Sequence, residues 1–210
     1  MIVDGVIAII VAYLLGSIPS AYLVTRLVAG KDIRRLGGGN VGARNVFREV
    51  GLGPAITVVI FDVGKGAAAV AIAYWLLAAP QLFVLVAGLA VVAGHMWPVY
   101  LKFTGGNGLA TSLGVLSVLM TRELLIAIAI TILFIVVTRN PVLSVNTSLL
   151  SVPVSAWFLE KSGLLIVFAF VLLLIMGIHF LPKARAALVE AGSRENLFAE
   201  LLRINKADKK

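Results

Sequence analysis

Seven apolar stretches divide this chain, most of them too long to be the buried elements of a water-soluble domain. They cover residues 3–25, 53–78, 82–101, 108–120, 124–138, 142–158 and 164–181. A helix needs about 20 apolar residues to cross a bilayer, fewer where it tilts or the membrane thins. The sequence predicts an all-α integral membrane protein of about seven transmembrane helices within residues 1–182. A basic amphipathic tail follows at residues 183–210. Charged residues make up only 13% of the chain, against roughly a quarter in soluble domains. The fourth and fifth stretches are short enough for a hairpin or partly re-entrant arrangement. The sixth is polar for a span, holding Asn146, Thr147 and Pro153, and is expected to face other helices.

The charges between the stretches predict an orientation. Arg26, Lys31, Arg34, Arg35, Arg44, Arg48, Lys102 and Arg139 fall in one set of loops, and the basic tail falls on the same side. The other side has only Arg122 and Lys161. The positive-inside rule then places the N-terminus outside and the C-terminus in the cytoplasm. Met1-Ile2-Val3-Asp4 lacks a basic n-region, so the first stretch is expected to be a retained span. The net charge of +8 is read as topology and contact with anionic membrane lipids, not as a nucleic-acid surface. There is no cysteine, which excludes disulfides, thiolate catalysis and cysteine-based metal sites.

The loop after the first stretch reads Leu36-Gly37-Gly38-Gly39-Asn40-Val41-Gly42-Ala43-Arg44-Asn45-Val46-Phe47-Arg48. Its glycines allow left-handed backbone, and successive N–H groups in such a turn cradle anions. Arg44 and Arg48 share a face if a helix opens near Arg44, and Asn40 and Asn45 add neutral hydrogen-bonding groups. The combination suits a phosphate or carboxylate. The competing reading is a plain basic turn that fixes topology. Gly37-x-Gly39-x-x-Gly42 also fits a dinucleotide pattern, but that pattern needs a preceding strand and here a span precedes it.

Four further segments carry polar chemistry. In Gly16-Ser17-Ile18-Pro19-Ser20, Pro19 is expected to kink the first helix, with Ser17 and Ser20 satisfying the freed carbonyls. Asp62-Val63-Gly64-Lys65-Gly66 places two charges three apart in the second span. They either neutralise each other or shape a site. Gly94-His95 ends the third span, with His95 a general base, a phosphate donor or a histidine bonded to a carbonyl. Lys102-Phe103-Thr104-Gly105-Gly106-Asn107-Gly108-Leu109-Ala110-Thr111 is a second glycine turn leading into a helix, whose open N–H groups and dipole favour an anion. It is not a P-loop, because no Gly-Lys-Ser/Thr follows at the required spacing. Arg139 is read as a topology charge. In the tail, Leu197, Phe198, Leu201 and Leu202 recur at helical spacing among basic residues, as in an interfacial helix.

These motifs, in order, resemble the bacterial acyl-phosphate:glycerol-3-phosphate acyltransferase family, PlsY. The matching elements are Gly16-Ser17-Ile18-Pro19, Asp32-Ile33-Arg34, Gly39-Asn40-Val41-Gly42-Ala43 with Asn45 and Arg48, Asp62-Val63-Gly64-Lys65-Gly66, Gly94-His95 with Pro98, and Phe103-x-Gly105-Gly106-x-Gly108-Leu109-Ala110-Thr111. The resemblance implies a seven-helix, multi-pass enzyme of the prokaryotic plasma membrane with its active site on the cytoplasmic face. It implies transfer of a fatty acyl group from acyl-phosphate to the 1-hydroxyl of glycerol 3-phosphate, giving lysophosphatidate, with no metal and no cofactor. Asn45, Arg48 and His95 are then expected in catalysis. Substrate and phosphate binding is expected at Gly37, Gly38, Gly39, Asn40, Gly42, Arg44, Lys65, Gly105, Gly106, Asn107, Gly108 and Thr111. A substrate phosphate could itself accept the hydroxyl proton.

The chain departs from the family's pattern in several places. Gly38 stands where the family has Ser, Arg44 where it has Thr, and Asn107 where it has Lys. The Asn expected after His179 is missing, and Glu195 stands in for the family's C-terminal Glu. Arg44 is expected either to replace the missing lysine as a phosphate ligand or to be an ordinary topology charge in a site that has lost activity with the changes at Gly38 and Asn107. The alternatives to the enzyme are a non-catalytic relative that binds a phosphorylated lipid or metabolite, and an anion carrier. A carrier more often shows paired internal repeats, and no convincing repeat is present.

Overall fold

The computed structural model describes residues 2–160 and 162–190, and all of its regular structure is helical. Contacts divide the chain into two compact units, Met1–Thr121 and Arg122–Lys210. The first unit begins with α1 (Ile2–Ser17) and α2 (Ser20–Ala29), separated at Ile18-Pro19. Pro19 has no N–H to continue the ladder, so the expected kink is a full break. Gly30 closes α2 in the left-handed conformation (φ 67°) and donates its N–H to the Arg26 carbonyl at 3.1 Å. A 3-10 turn at Ile33–Arg35 and the short helix α3 (Ala43–Glu49) follow. Helix α4 (Leu52–Ala71) widens into a π turn at Ile72–Leu76. Helix α5 (Gln81–Met96) leads through a 3-10 turn at Val99–Leu101 to α6 (Leu109–Leu119).

Small residues bring two helix pairs into backbone contact. A Cβ on Gly16 of α1 would strike the Val91 carbonyl of α5, and one on Gly94 of α5 would strike the Tyr13 carbonyl. Gly66 of α4 sits in the same way on the Thr111 carbonyl of α6, and Gly114 of α6 on the Val63 carbonyl of α4. Close approach through small residues drives packing where lipid removes the hydrophobic gain between helices. Three of these four contact glycines adjoin a polar residue: Gly16 adjoins Ser17, Gly66 adjoins Lys65, and Gly94 adjoins His95. The tight packing therefore sets the positions of the polar groups.

The second unit holds α7 (Thr121–Thr138, entered from the last residue of the first unit), α8 (Pro141–Leu149), α9 (Ser151–Leu159) and α10 (Gly163–Glu190). Thr131 of α7 hydrogen-bonds Ser148 of α8, and Thr138 reaches Ser144 at 3.2 Å. The sixth stretch is thus a helix pair broken at Leu150, and its inward polar face is Ser144, Ser148 and Ser155. Asn146, expected to face other helices, is exposed instead. Two residues from Ser144, it turns about 200° away from that stripe.

Among the described residues, five stretches are long and apolar enough to cross a membrane: Ile2–Ala29, Leu52–Leu76, Gln81–Leu101, Thr121–Thr138 and Gly163–Pro182. Two shorter apolar helices, Leu109–Leu119 and Leu143–Leu159, coincide with the fourth and sixth stretches. The tail leucines and Phe198 lie outside the described residues, as does Glu195.

Candidate active site

The first glycine loop has its own small core. Ile33, Val41 and Val46 are buried against Ala21, Ala55, Val58 and Leu101. Asp32 caps the 3-10 turn by accepting from the Arg34 N–H at 3.0 Å, and its carboxylate also takes the Arg34 guanidinium, with Nη2 at 2.7 Å. The Arg34 guanidinium holds the Asp32 carboxyl down at about 2. Asn45 is buried, and its Nδ2 lies 3.0 Å from the Leu36 carbonyl, 3.1 Å from that of Asn40 and 3.3 Å from that of Ile33. One amide therefore gathers three carbonyls of the turn, while the Gly39 and Gly42 N–H groups donate to the Leu36 and Asn40 carbonyls, each at 3.0 Å. Gly37 (φ 52°) lies under the Asn45 and Glu49 side chains, where a Cβ has no room. Gly39 is also left-handed (φ 69°), while nothing stands within 4 Å of a Cβ built on Gly38.

Helix α3 presents Arg44 and Arg48 one turn apart, both exposed. Neither makes a hydrogen bond or ion pair with the described residues. Burial and then the charge of Arg48 lower the pKa of Arg44 from its ordinary value. Two adjacent guanidinium groups with no carboxylate partner among the described residues favour an anion.

Beneath the loop lies a buried polar hub. Asp62 of α4 is 1% exposed. Its Oδ1 accepts from Ser20 Oγ at 2.6 Å, pairs with Lys65 Nζ at 2.8 Å and lies 3.4 Å from His95 Nδ1. Lys65 Nζ also donates to the Ile18 carbonyl at 3.0 Å, beside the Pro19 break. The two serines do not satisfy the carbonyls of the break as expected. Lys65 takes that of Ile18, Ser20 turns to Asp62, and Ser17 Oγ accepts from the Val99 N–H at 3.4 Å. A cation that is itself buried by the carboxylate reaches the broken turn, so the short hydroxyls serve other helices.

The second glycine turn closes on His95. The Gly106 N–H donates to the His95 carbonyl at 3.1 Å. A Cβ on Gly106 would strike the His95 imidazole and stand 2.6 Å from the Val41 carbonyl of the first loop. Gly105 backs onto the carbonyls of His95 and Met96. Gly108 (φ 82°) opens α6, and Thr111 in its first turn is fully buried, with Oγ1 lacking a hydrogen-bond partner among the described residues. A cavity of ≈ 10 Å³ sits at this junction, lined by Ser17, Ser20, Val41, Lys65, His95 and Gly105 among others. That is about the size of one water.

The structure thus joins Val41 of the first loop, Gly105 and Gly106 of the second, Lys65 and His95. Arg44 lies elsewhere, on an open groove between α3 and α4 with Ala43 and Phe47. The sequence reading missed Ser20 as a partner of Asp62. The two are 42 residues apart, and no local spacing connects them. The carboxylate in a span was a signal in itself, since it demanded partners.

Fold and site together define a multi-pass membrane protein that brings two glycine turns and a histidine to one buried carboxylate. The sequence model of the family described as glycerol-3-phosphate acyltransferase matches residues 6–187. Glycerol-3-phosphate acyltransferase 1 of Dehalococcoides mccartyi is 40% identical over 198 residues, covering 92% of this chain and 95% of that protein. The glycerol-3-phosphate acyltransferase of a Thermoanaerobacter species is 39% identical over 194 residues, covering 92% and 96%. Among solved structures, the glycerol 3-phosphate form of PlsY, an integral membrane glycerol 3-phosphate acyltransferase, superposes with a TM-score of 0.79 at 29% identity. It covers 89% of this chain and 92% of that one. The lysophosphatidic acid form of PlsY gives a TM-score of 0.75 at 27% identity. The chain belongs to the glycerol-3-phosphate acyltransferase family.

Proposed function

We propose that this protein transfers a fatty acyl group from acyl-phosphate to the 1-hydroxyl of glycerol 3-phosphate, forming lysophosphatidate for phospholipid synthesis. The observation that carries this reading is the meeting of both glycine turns at His95, on a chain whose neighbouring helix α3 carries Arg44 and Arg48 without a partner among the described residues. Relatives named for this activity match over nine-tenths of the chain, and PlsY was solved in glycerol 3-phosphate and lysophosphatidic acid forms.

The glycerol O1 attacks the acyl carbonyl carbon, the bond from that carbon to the phosphate oxygen breaks, and phosphate leaves. Both substrates are anions, so binding and orientation are the main demand. Arg48 and N–H groups of the turn other than those of Gly39 and Gly42, which bond the Leu36 and Asn40 carbonyls, hold one phosphate, with Gly37, Gly38, Gly39 and Gly42 letting it approach and Asn40 and Asn45 fixing the turn. The turn at Gly105, Gly106, Asn107 and Gly108, with Thr111, holds the other and stabilises the carbonyl oxyanion. Lys65 anchors the carboxylate under the site. His95 takes the O1 proton, and a substrate phosphate is the competing acceptor. No metal or cofactor takes part in this scheme.

The same proposal places the protein in a prokaryotic plasma membrane as seven spans, with the N-terminus outside and the site on the cytoplasmic face. The basic residues of the first loop, Lys102, Arg139 and the tail support that orientation. Residues 183–190 continue α10 rather than starting a separate segment.

The test is purified protein in detergent with acyl-phosphate and glycerol 3-phosphate. Release of phosphate matched by lysophosphatidate is expected, and absence of both overturns the reading. His95→Gln then decides the proton acceptor. A loss of about 100-fold or more in kcat assigns it to His95, and a loss under tenfold assigns it to a phosphate.

A further inference from the structure

The groove between α3 and α4 has a volume of ≈ 350 Å³, with Ala43, Arg44 and Phe47 on one wall and Leu52, Ala55, Ile56, Val59 and Ile60 on the other. That volume lies within the range of about 300–1,000 Å³ usual for ligand sites. Apart from Arg44, every residue on its walls is apolar. An apolar surface on a spanning helix ordinarily faces bulk lipid, but this one is concave and ends in charge. Arg44 stands on it, Arg48 lies one turn further along the same short helix, and neither is paired with another residue described. An apolar trough with unpaired cations at one end complements a single-chain amphiphile with an anionic head.

Its position selects which amphiphile. Val41 lines the small cavity at His95 and Ala43 lines the groove. Two residues of extended chain span at most about 7 Å. A molecule lying in the groove with its head at α3 therefore brings the junction of head and chain up to the catalytic turns. Resting on the acyl transfer proposed above, we infer that the groove holds the fatty chain of the acyl-phosphate donor, with Arg44 beside the donor's phosphate. The acceptor has no chain and does not need the groove. Ile56 and Val59, both about half exposed, then set how long a chain is accepted.

The experiment compares hexadecanoyl and octanoyl phosphate as donors for wild type, Ile56→Trp, Val59→Trp and Val136→Trp. Val136 is an exposed residue of α7 outside both the groove and the cavity. The two groove variants are expected to lower the kcat/KM ratio of long to short donor about tenfold, with the KM for glycerol 3-phosphate within twofold of wild type. Val136→Trp is expected to leave the ratio unchanged. Arg44→Ala is expected to raise the donor KM about tenfold at both chain lengths and to spare the acceptor KM. A wild-type protein given an acyl-phosphate with a photoreactive chain end is expected to be labelled within residues 52–60, whatever the variants do to folding. An unchanged chain-length ratio in both groove variants, or labelling only outside 52–60, shows that the groove is filled by bilayer lipid and overturns the inference while the transfer activity stands. A raised acceptor KM in Arg44→Ala moves that arginine to glycerol 3-phosphate and also overturns it. A wild type that transfers neither chain removes the activity and the inference together.

Discussion

Three side chains end on the Asp62 carboxylate, Lys65 from the same helix and Ser20 and His95 from two others. Asp62→Asn keeps an acceptor for Ser20 but leaves Lys65 as a buried cation without its counter-ion. Breaking such a pair costs about 3–5 kcal/mol. The variant is expected to show a lower thermal midpoint in detergent and little activity. Asp62→Asn with Lys65→Met removes the stranded charge and is expected to recover most of the midpoint but not kcat, since His95 Nδ1 still lacks its carboxylate. Full recovery of kcat in the double variant would show that the hub is only structural. Arg48→Ala tests the other half of the site. Losing a charge-assisted bond costs about 1.5–3 kcal/mol, so kcat/KM is expected to fall at least tenfold with the protein still folded. Unchanged kinetics would remove Arg48 from the site. The Asp62–Lys65 pair was legible in the sequence because both charges sit three apart in one apolar run. Its link to Ser20 and His95 was not, because periodicity gives the face of a helix and not the residue opposite it.

At the level of elements, the two glycine turns differ in what each glycine is for. Gly106→Val places a side chain where the His95 imidazole and the Val41 carbonyl already stand. Overpacking of this kind costs about 1–3 kcal/mol, and here the atoms displaced are those of the site. Substrate KM is expected to rise steeply while the helices stay assembled, as judged by gel filtration. Gly38→Ser meets nothing within 4 Å and is expected to leave both stability and expression unchanged. A Gly106→Val protein with wild-type affinity for both substrates would reduce the second turn to a connector. Much of the element pattern could be read beforehand. The break at Pro19 follows from its missing donor, and the glycine loop ahead of α3 follows from composition. The α1–α5 and α4–α6 pairings could not be read, because a glycine in a span gives no sign of which backbone it touches. The role of Asn45 was hidden for the same reason: its three carbonyl partners are set by the turn it closes.

For the whole molecule, the open question is whether α6 and the α8–α9 pair cross the bilayer. Helix α6 has 11 residues, about 16 Å at 1.5 Å per residue, against a hydrocarbon core of roughly 30 Å. Leu143–Leu159 is a broken helix of about 26 Å by the same rise. Seven crossings and five crossings are both odd, so the position of the termini cannot separate them. The loops can. With the N-terminus outside, both schemes put Lys31 and Lys102 in the cytoplasm and Lys161 outside. Seven crossings put Arg122 outside and Arg139 in the cytoplasm. If α6 and α8–α9 only dip into the membrane and return, those two positions exchange sides. The charge pattern favours the first scheme, since Arg139 then joins the basic face. The chain contains no cysteine, so single cysteines report without background. Cells expressing Arg122→Cys are expected to react with a membrane-impermeant maleimide from outside, and Arg139→Cys only after the membrane is opened. Lys31→Cys serves as the internal control and Lys161→Cys as the external one. The reverse result at 122 and 139, with both controls unchanged, would establish five crossings and make α6 a re-entrant helix. The second glycine turn would remain on the cytoplasmic face in either case, because Lys102 does not change sides.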